Sequence, residues 1–220
     1  MDDRILDHLL SQRACRSYTD DPVDADDLAT MLRAATHAPS AENAQPWVFV
    51  AVRDASTRRA IVDLTIAVWD GGGRQHSEQS LSPAFFSNVD GFIRGAYGNA
   101  PVLIVVAGDG RRGESAALLA ASVFPATQNL LLAAAALGYG SSMTTLAAQA
   151  PAALAGLVGL PDGIRPFAVV PVGRSATPLG RPRRRPVQEV AHLDAFGVPL
   201  PINAERSAPA APPRPAPRPS

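Results

Sequence analysis

Helices covering a small sheet, as an α+β or α/β sandwich, is the fold class that the sequence predicts. Two observations carry it. Trp47–Val52, Pro101–Ala107 and Phe167–Val172 are short, apolar and rich in β-branched residues, and read as strands. Segments of helical periodicity lie before and between them, giving the order α-α-β-α-α-β-α-α-β.

Each element has its own signal. Asp3–Ser11 sets Ile5, Leu6, Leu9 and Leu10 on one helical stripe. Asp24 is placed to cap a second helix, with Leu28, Met31, Leu32 and Ala35 behind it, and Pro39 stops it near Ala38. Periodicity returns over Ser56–Trp69. Residues 70–82 are glycine-rich and polar and read as a loop, followed by a weaker helix over 83–97. Glu114–Leu137 is apolar almost all round, which predicts a buried central helix, with a kink expected at Pro125. A last helix runs from Ala148 to Val158 and ends at Gly159. Ser207–Ser220 holds six prolines and cannot build a core, so a folded domain over 1–200 and a disordered Pro/Ala-rich tail over 201–220 are expected.

Composition excludes several chemistries. The 220 residues carry 20 basic and 20 acidic side chains, and every basic one is arginine. Without lysine there is no Schiff base and no Walker-type phosphate loop, so an anion site must use arginine or backbone N–H groups. The one cysteine, Cys15, excludes an internal disulfide and a cysteine-rich metal site. His8, His37, His76 and His192 fall in no ligand spacing, so no bound metal is expected. Zero net charge argues against nucleic acid as a partner. No apolar run reads as a membrane span, and the acidic start lacks the apolar core of a signal peptide. A soluble, cytoplasmic protein with no membrane partner is expected.

A G-x-G-x-x-G pattern stands at Gly108, Gly110 and Gly113, after a strand and before a helix. No acidic residue or strand follows at the spacing a dinucleotide site needs, so a surface turn is the expected reading. Cys15 sits near two arginines, but no general base is placed beside it, and it reads as a small packing residue.

Three loop segments share one chemical character: Arg13–Tyr18, Ala38–Trp47 and Arg181–Val187. Each sets Arg, Ser, Asn or Gln at a helix or strand end, where side chains and N–H groups are available. Two arginine clusters flanking polar amides suit a ligand with a phosphate and a polar ring; solvated surface is the other reading.

The strings RACRSY…DPV and APSAENAQPW resemble the paired N-terminal signature of the FMN-dependent nitroreductase family. The resemblance continues through ASVFPATQNLLLAAAALGYGSSMTTL, GLPDGIRPFAVVPVGR and RRRPVQEVAH. It implies an α+β nitroreductase-like fold with a small central mixed sheet surrounded by helices. It also implies an interlocked homodimer with FMN held between the two chains and the long helix at the dimer core. Arg13, Ala14 and Arg16 sit where the family contacts the flavin, with Arg16 facing its N1/O2 edge. Ser40, Asn43 and Gln45 would approach from the partner chain. Met143, Thr144 and Thr145 occupy the loop whose backbone N–H points to flavin N5 or O4. Arg184, then Arg183, would hold the phosphate. The family often has Arg-Arg-Ser-x-Arg where this chain has Gln12, Arg13, Ala14, Cys15 and Arg16.

The activity so implied is ping-pong transfer from NADH or NADPH through flavin N5 to a small-molecule acceptor, nitroaromatic, quinone or similar. No catalytic side chain is identified. Phe85 and Phe86 fall with the 70–82 segment in a stretch that usually forms a lid, or else in a helix core. A flavin-dependent oxidase or dehydrogenase of a biosynthetic pathway, and a non-catalytic flavin-sequestering protein, are the alternatives.

Overall fold

The computed structural model describes residues 3–201, so the proline-rich segment Ser207–Ser220 lies outside the described residues. The described residues divide into two units, one of Gln12–Gly180 and one that joins residues 3–11 to residues 181–201. In the second of these, helix α1 (Asp3–Ser11) leaves Ile5, Leu6, Leu9 and Leu10 exposed, and Arg181 pairs with Asp7 at 3.2 Å.

The larger unit is built on four strands: β1 (Trp47–Val52), β2 (Val102–Asp109), β3 (Gly140–Ser141) and β4 (Ile164–Gly173). Their order is β1-β2-β4-β3, and all three pairings are antiparallel. The mixed sheet expected from the sequence is therefore corrected. A single helix between β2 and β3 does make those two strands run the same way, but β4 lies between them, so no parallel pair forms.

Helices cover both faces. Leu103 and Val105 of β2 pack with Ile61, Trp69, Phe92, Tyr97 and Leu154. These come from α3 (Ala55–Val68), the turn after it, α5 (Pro83–Arg94), the short turn that follows α5, and α7 (Pro151–Val158). Val102, Ile104 and Val106 face the other way, onto Leu28 and Met31 of α2 (Ala25–Ala35) and Val123 and Leu130 of α6 (Ala116–Ala136). Burial on both faces is why β2 is apolar from Val102 to Ala107 rather than alternating.

α6 runs unbroken through Pro125. By length and hydropathy it could cross a membrane, contrary to the sequence reading, yet Leu119, Val123, Ala126, Leu130 and Ala134 face the core. Residues 70–82 are not a loop. A π-helical turn at Trp69–Gly73 leads into α4 (Arg74–Ser80). Asp90 explains it: its Oδ1 accepts from Trp69 Nε1 at 2.9 Å and pairs with Arg94 at 3.1 Å and Arg74 at 3.5 Å. Gly108 lies within β2, and the Gly110–Gly113 segment is a turn, closed by Gly113 N–H donating to Gly110 O at 2.9 Å.

Candidate functional site

The segment Arg13–Tyr18 has an inward and an outward side. Cys15 and Tyr18 are buried, whereas Arg13, Ala14 and Arg16 are half-buried. The backbone is stitched to two neighbours: Cys15 N–H donates to Ser141 O at 2.9 Å, and Ala176 N–H donates to Ser17 O at 3.0 Å. Gly140 permits this approach, because a β-carbon there would lie 2.5 Å from the Cys15 sulfur. Cys15 is thus a packing residue, as the sequence suggested. Burial and neighbouring Cys15 hold the Tyr18 phenol above its ordinary range, and it donates to Cys15 O at 2.8 Å.

Two arginines project from this strip. One guanidinium nitrogen of Arg13 donates to Gly180 O at 2.9 Å. Arg16 makes no hydrogen bond or ion pair among the described residues; its guanidinium carbon lies 5.2 Å from the centre of the exposed Phe85 ring. Burial first, then the charge of Arg13, lowers the Arg16 pKa from its usual value. An arginine stays charged under such pressure. This corner therefore presents two cations with no carboxylate partner among the described residues.

The loop after β3 lies beside them. Thr144 is committed to the sheet, donating to Val169 O at 3.0 Å and accepting from Val169 N–H at 2.8 Å. Its N–H is thus not available to a ligand, which narrows the expected donors. The N–H groups of Met143 and Thr145, on either side, make no hydrogen bond among the described residues, and both residues are exposed.

Ser40, Asn43 and Gln45 form a second cluster. Glu42, Asn43 and Gln45 all have positive φ, at 52°, 54° and 49°. Three such residues so close together store strain of the kind that gathers at functional sites. Side chains lock the loop: Gln45 N–H donates to Ser40 Oγ at 3.0 Å, and Gln45 Nε2 donates to Asn43 Oδ1 at 3.2 Å. Its exit is fixed by Asp109 N–H donating to Pro46 O at 2.7 Å.

The two clusters stand at opposite corners of the sheet. Ser141 pairs with Val172, which faces Val102 at the start of β2. Trp47 pairs with Gly108 near its end, on the far edge strand. Strand geometry separates these corners by about 20 Å along β2 and about 14 Å across the sheet. One copy does not bring its own Ser40–Gln45 loop to its own Arg16. Arg183 and Arg184 belong to the smaller unit, are exposed, and interact locally, with Arg184 donating to Arg183 O at 3.0 Å.

Sequence reasoning left the pairing of Phe85 with Arg16 unread. The exposed ring in an otherwise weak helical pattern is its one trace.

The chain belongs to the nitroreductase family, whose model matches residues 9–174. It is 30% identical over 171 residues to a protein of Archaeoglobus fulgidus named as an NADH dehydrogenase/NAD(P)H nitroreductase, covering 76% of this chain and 83% of that one. A crystal structure from Parabacteroides distasonis with the same description has 25% identity and a TM-score of 0.65, over 86% of this chain and 97% of that one. An iodotyrosine deiodinase solved with FMN and 3-iodo-L-tyrosine has 25% identity and a TM-score of 0.68, over 87% of this chain and all (100%) of that one.

Proposed function

We propose that this protein is an FMN-dependent NAD(P)H oxidoreductase that reduces nitroaromatic, quinone or related acceptors, as a cytoplasmic homodimer whose sites combine residues of both copies. The observation that carries it is the Arg16 guanidinium: half-buried, beside Arg13, and lacking any anionic partner among the described residues. A desolvated cation without a counter-charge is costly, and an anionic ring or phosphate relieves it. FMN has both. The two unused N–H groups at Met143 and Thr145 suit its polar ring edge. The apolar stripe of α1 and the separation of the two corners support a second copy.

Bound FMN supplies the redox chemistry, taking two electrons from NAD(P)H and passing them to the acceptor. The chain supplies position and field. Arg16 places a permanent positive charge where negative charge develops, with Arg13 adding to it. Met143 and Thr145 offer backbone donors held rigid by the Thr144–Val169 pair. Phe85 covers Arg16 and limits water. Arg184 and Arg183 supply the phosphate contact in this reading. Burial keeps the Tyr18 phenol protonated and turned to Cys15 O, so protons come from solvent.

The test is spectroscopic. Purified protein reconstituted with FMN should show a flavin spectrum that NADH or NADPH bleaches and a nitroarene or quinone restores. Failure to retain FMN overturns the reading.

A further inference from the structure

Two clefts of about 200 Å³ each flank the strained loop, sharing Ala44, Pro46 and Glu114. The first has an apolar wall of Ala41, Pro46, Leu118 and Leu119, and the titratable side chains that line it are Glu42 and Glu114. No cation lines it. Arg112 and Asp109 line the second cleft, and neighbouring Arg111 is paired with Asp109 at 2.5 Å. One carboxylate oxygen of Glu114 is sealed from solvent with no donor among the described residues. That oxygen is out of a ligand's reach, but the Glu114 carboxylate as a whole makes no hydrogen bond or ion pair among the described residues, and a donor bound in the cleft would supply one at its other oxygen.

We propose that this cleft binds amphipathic organic cations, an ammonium against Glu114 and Glu42 with its apolar body on Leu118, Leu119 and Pro46. It thereby selects cationic ring compounds among the acceptors. The selection step rests on the function proposed above, because the same loop carries the Ser40, Asn43 and Gln45 side chains that reading brings to the flavin.

The test compares 4-nitrobenzylamine with 4-nitrobenzoate as acceptors for the FMN-loaded full chain. The amine should be preferred in kcat/KM by roughly tenfold, the size of one charge-assisted hydrogen bond. Glu114→Gln should abolish the preference through KM. In parallel, calorimetry with benzylammonium, without nicotinamide or turnover, should show binding to the wild-type chain that Glu114→Gln weakens by roughly tenfold. Leu118→Ser should weaken the same binding, and serves where Glu114→Gln fails to fold. A retained amine preference in Glu114→Gln, or equal benzylammonium binding by wild type and both variants, overturns the proposal. A flavin that no nicotinamide bleaches overturns the oxidoreductase reading instead, and the calorimetry still decides the cation cleft.

Discussion

Cys15 and Gly140 fit each other at the limit of contact: a β-carbon added to Gly140 would lie 2.5 Å from the Cys15 sulfur and 2.7 Å from its Cβ. Both residues are buried. Gly140→Ala should therefore overpack this corner, at a cost of about 1–3 kcal/mol. Thermal unfolding should register it as a lower Tm. Cys15→Gly in the same chain removes both clashing atoms and should restore part of the loss, whereas Cys15→Ser should not.

Arg16 is expected to matter for the flavin and not for assembly. Arg16→Ala should weaken FMN binding by roughly tenfold or more, the range of one charge-assisted hydrogen bond. It should also slow bleaching by NAD(P)H. Flavin fluorescence titration and sedimentation check the two halves. Unchanged binding and turnover would take Arg16 out of the site.

The backbone donor at Thr145 can be removed alone. Thr144 is extended in its bridge to Val169, which is the conformation a residue before proline prefers. Thr145→Pro should fold with little change in Tm and bind FMN roughly tenfold less tightly, the loss of about one hydrogen bond. Equal FMN affinity would show that Thr145 N–H is not used.

Acid should find a particular weakness. Hydrogen bonds from Ser56 and Thr57 hold the Asp54 carboxyl down at about 2, and Arg111 does the same for Asp109, also about 2. Asp90 is lowered first by Trp69 and then by Arg94. A depressed carboxylate favours the folded state above its unfolded pKa, and that contribution is lost as pH falls through the folded value. Stability should thus hold above about pH 4, the ordinary aspartate range, and decline steadily towards pH 2. Asp90→Asn should flatten part of that decline and loosen α4, read by acid titration of circular dichroism and by hydrogen exchange over 74–80. An acid profile unchanged in Asp90→Asn would count against the hub.

Much of this molecule could be read from sequence, and the failures have a common cause. Strands and the long helix were legible because their patterns are local: β2 is apolar from Val102 to Ala107, and Asp24 caps α2 by accepting from Asp26 and Asp27. Helix α4 was missed because its sequence, Arg74–Ser80, has no apolar face; Asp90, from another helix, holds it. The antiparallel sheet was missed because β4 inserts between β2 and β3, an order that no local pattern encodes. At the site, residue types were legible and commitments were not. Nothing in SSMTTL says that Thr144 spends its N–H on Val169 while its neighbours keep theirs. Likewise, the Cys15–Ser141 bond that brings the arginine strip beside that loop joins residues far apart in sequence.

The diagonal placement of Arg16 and Gln45 has a genetic consequence. If each flavin site takes its arginines from one copy and its amides from the other, two defective alleles can rescue each other. A chain with Arg16→Ala and a chain with a disabled Ser40–Gln45 loop are each impaired as homodimers. Co-expressed, they form a heterodimer in which both lesions fall in one site and the other is intact, so mixed populations recover turnover that neither allele gives alone.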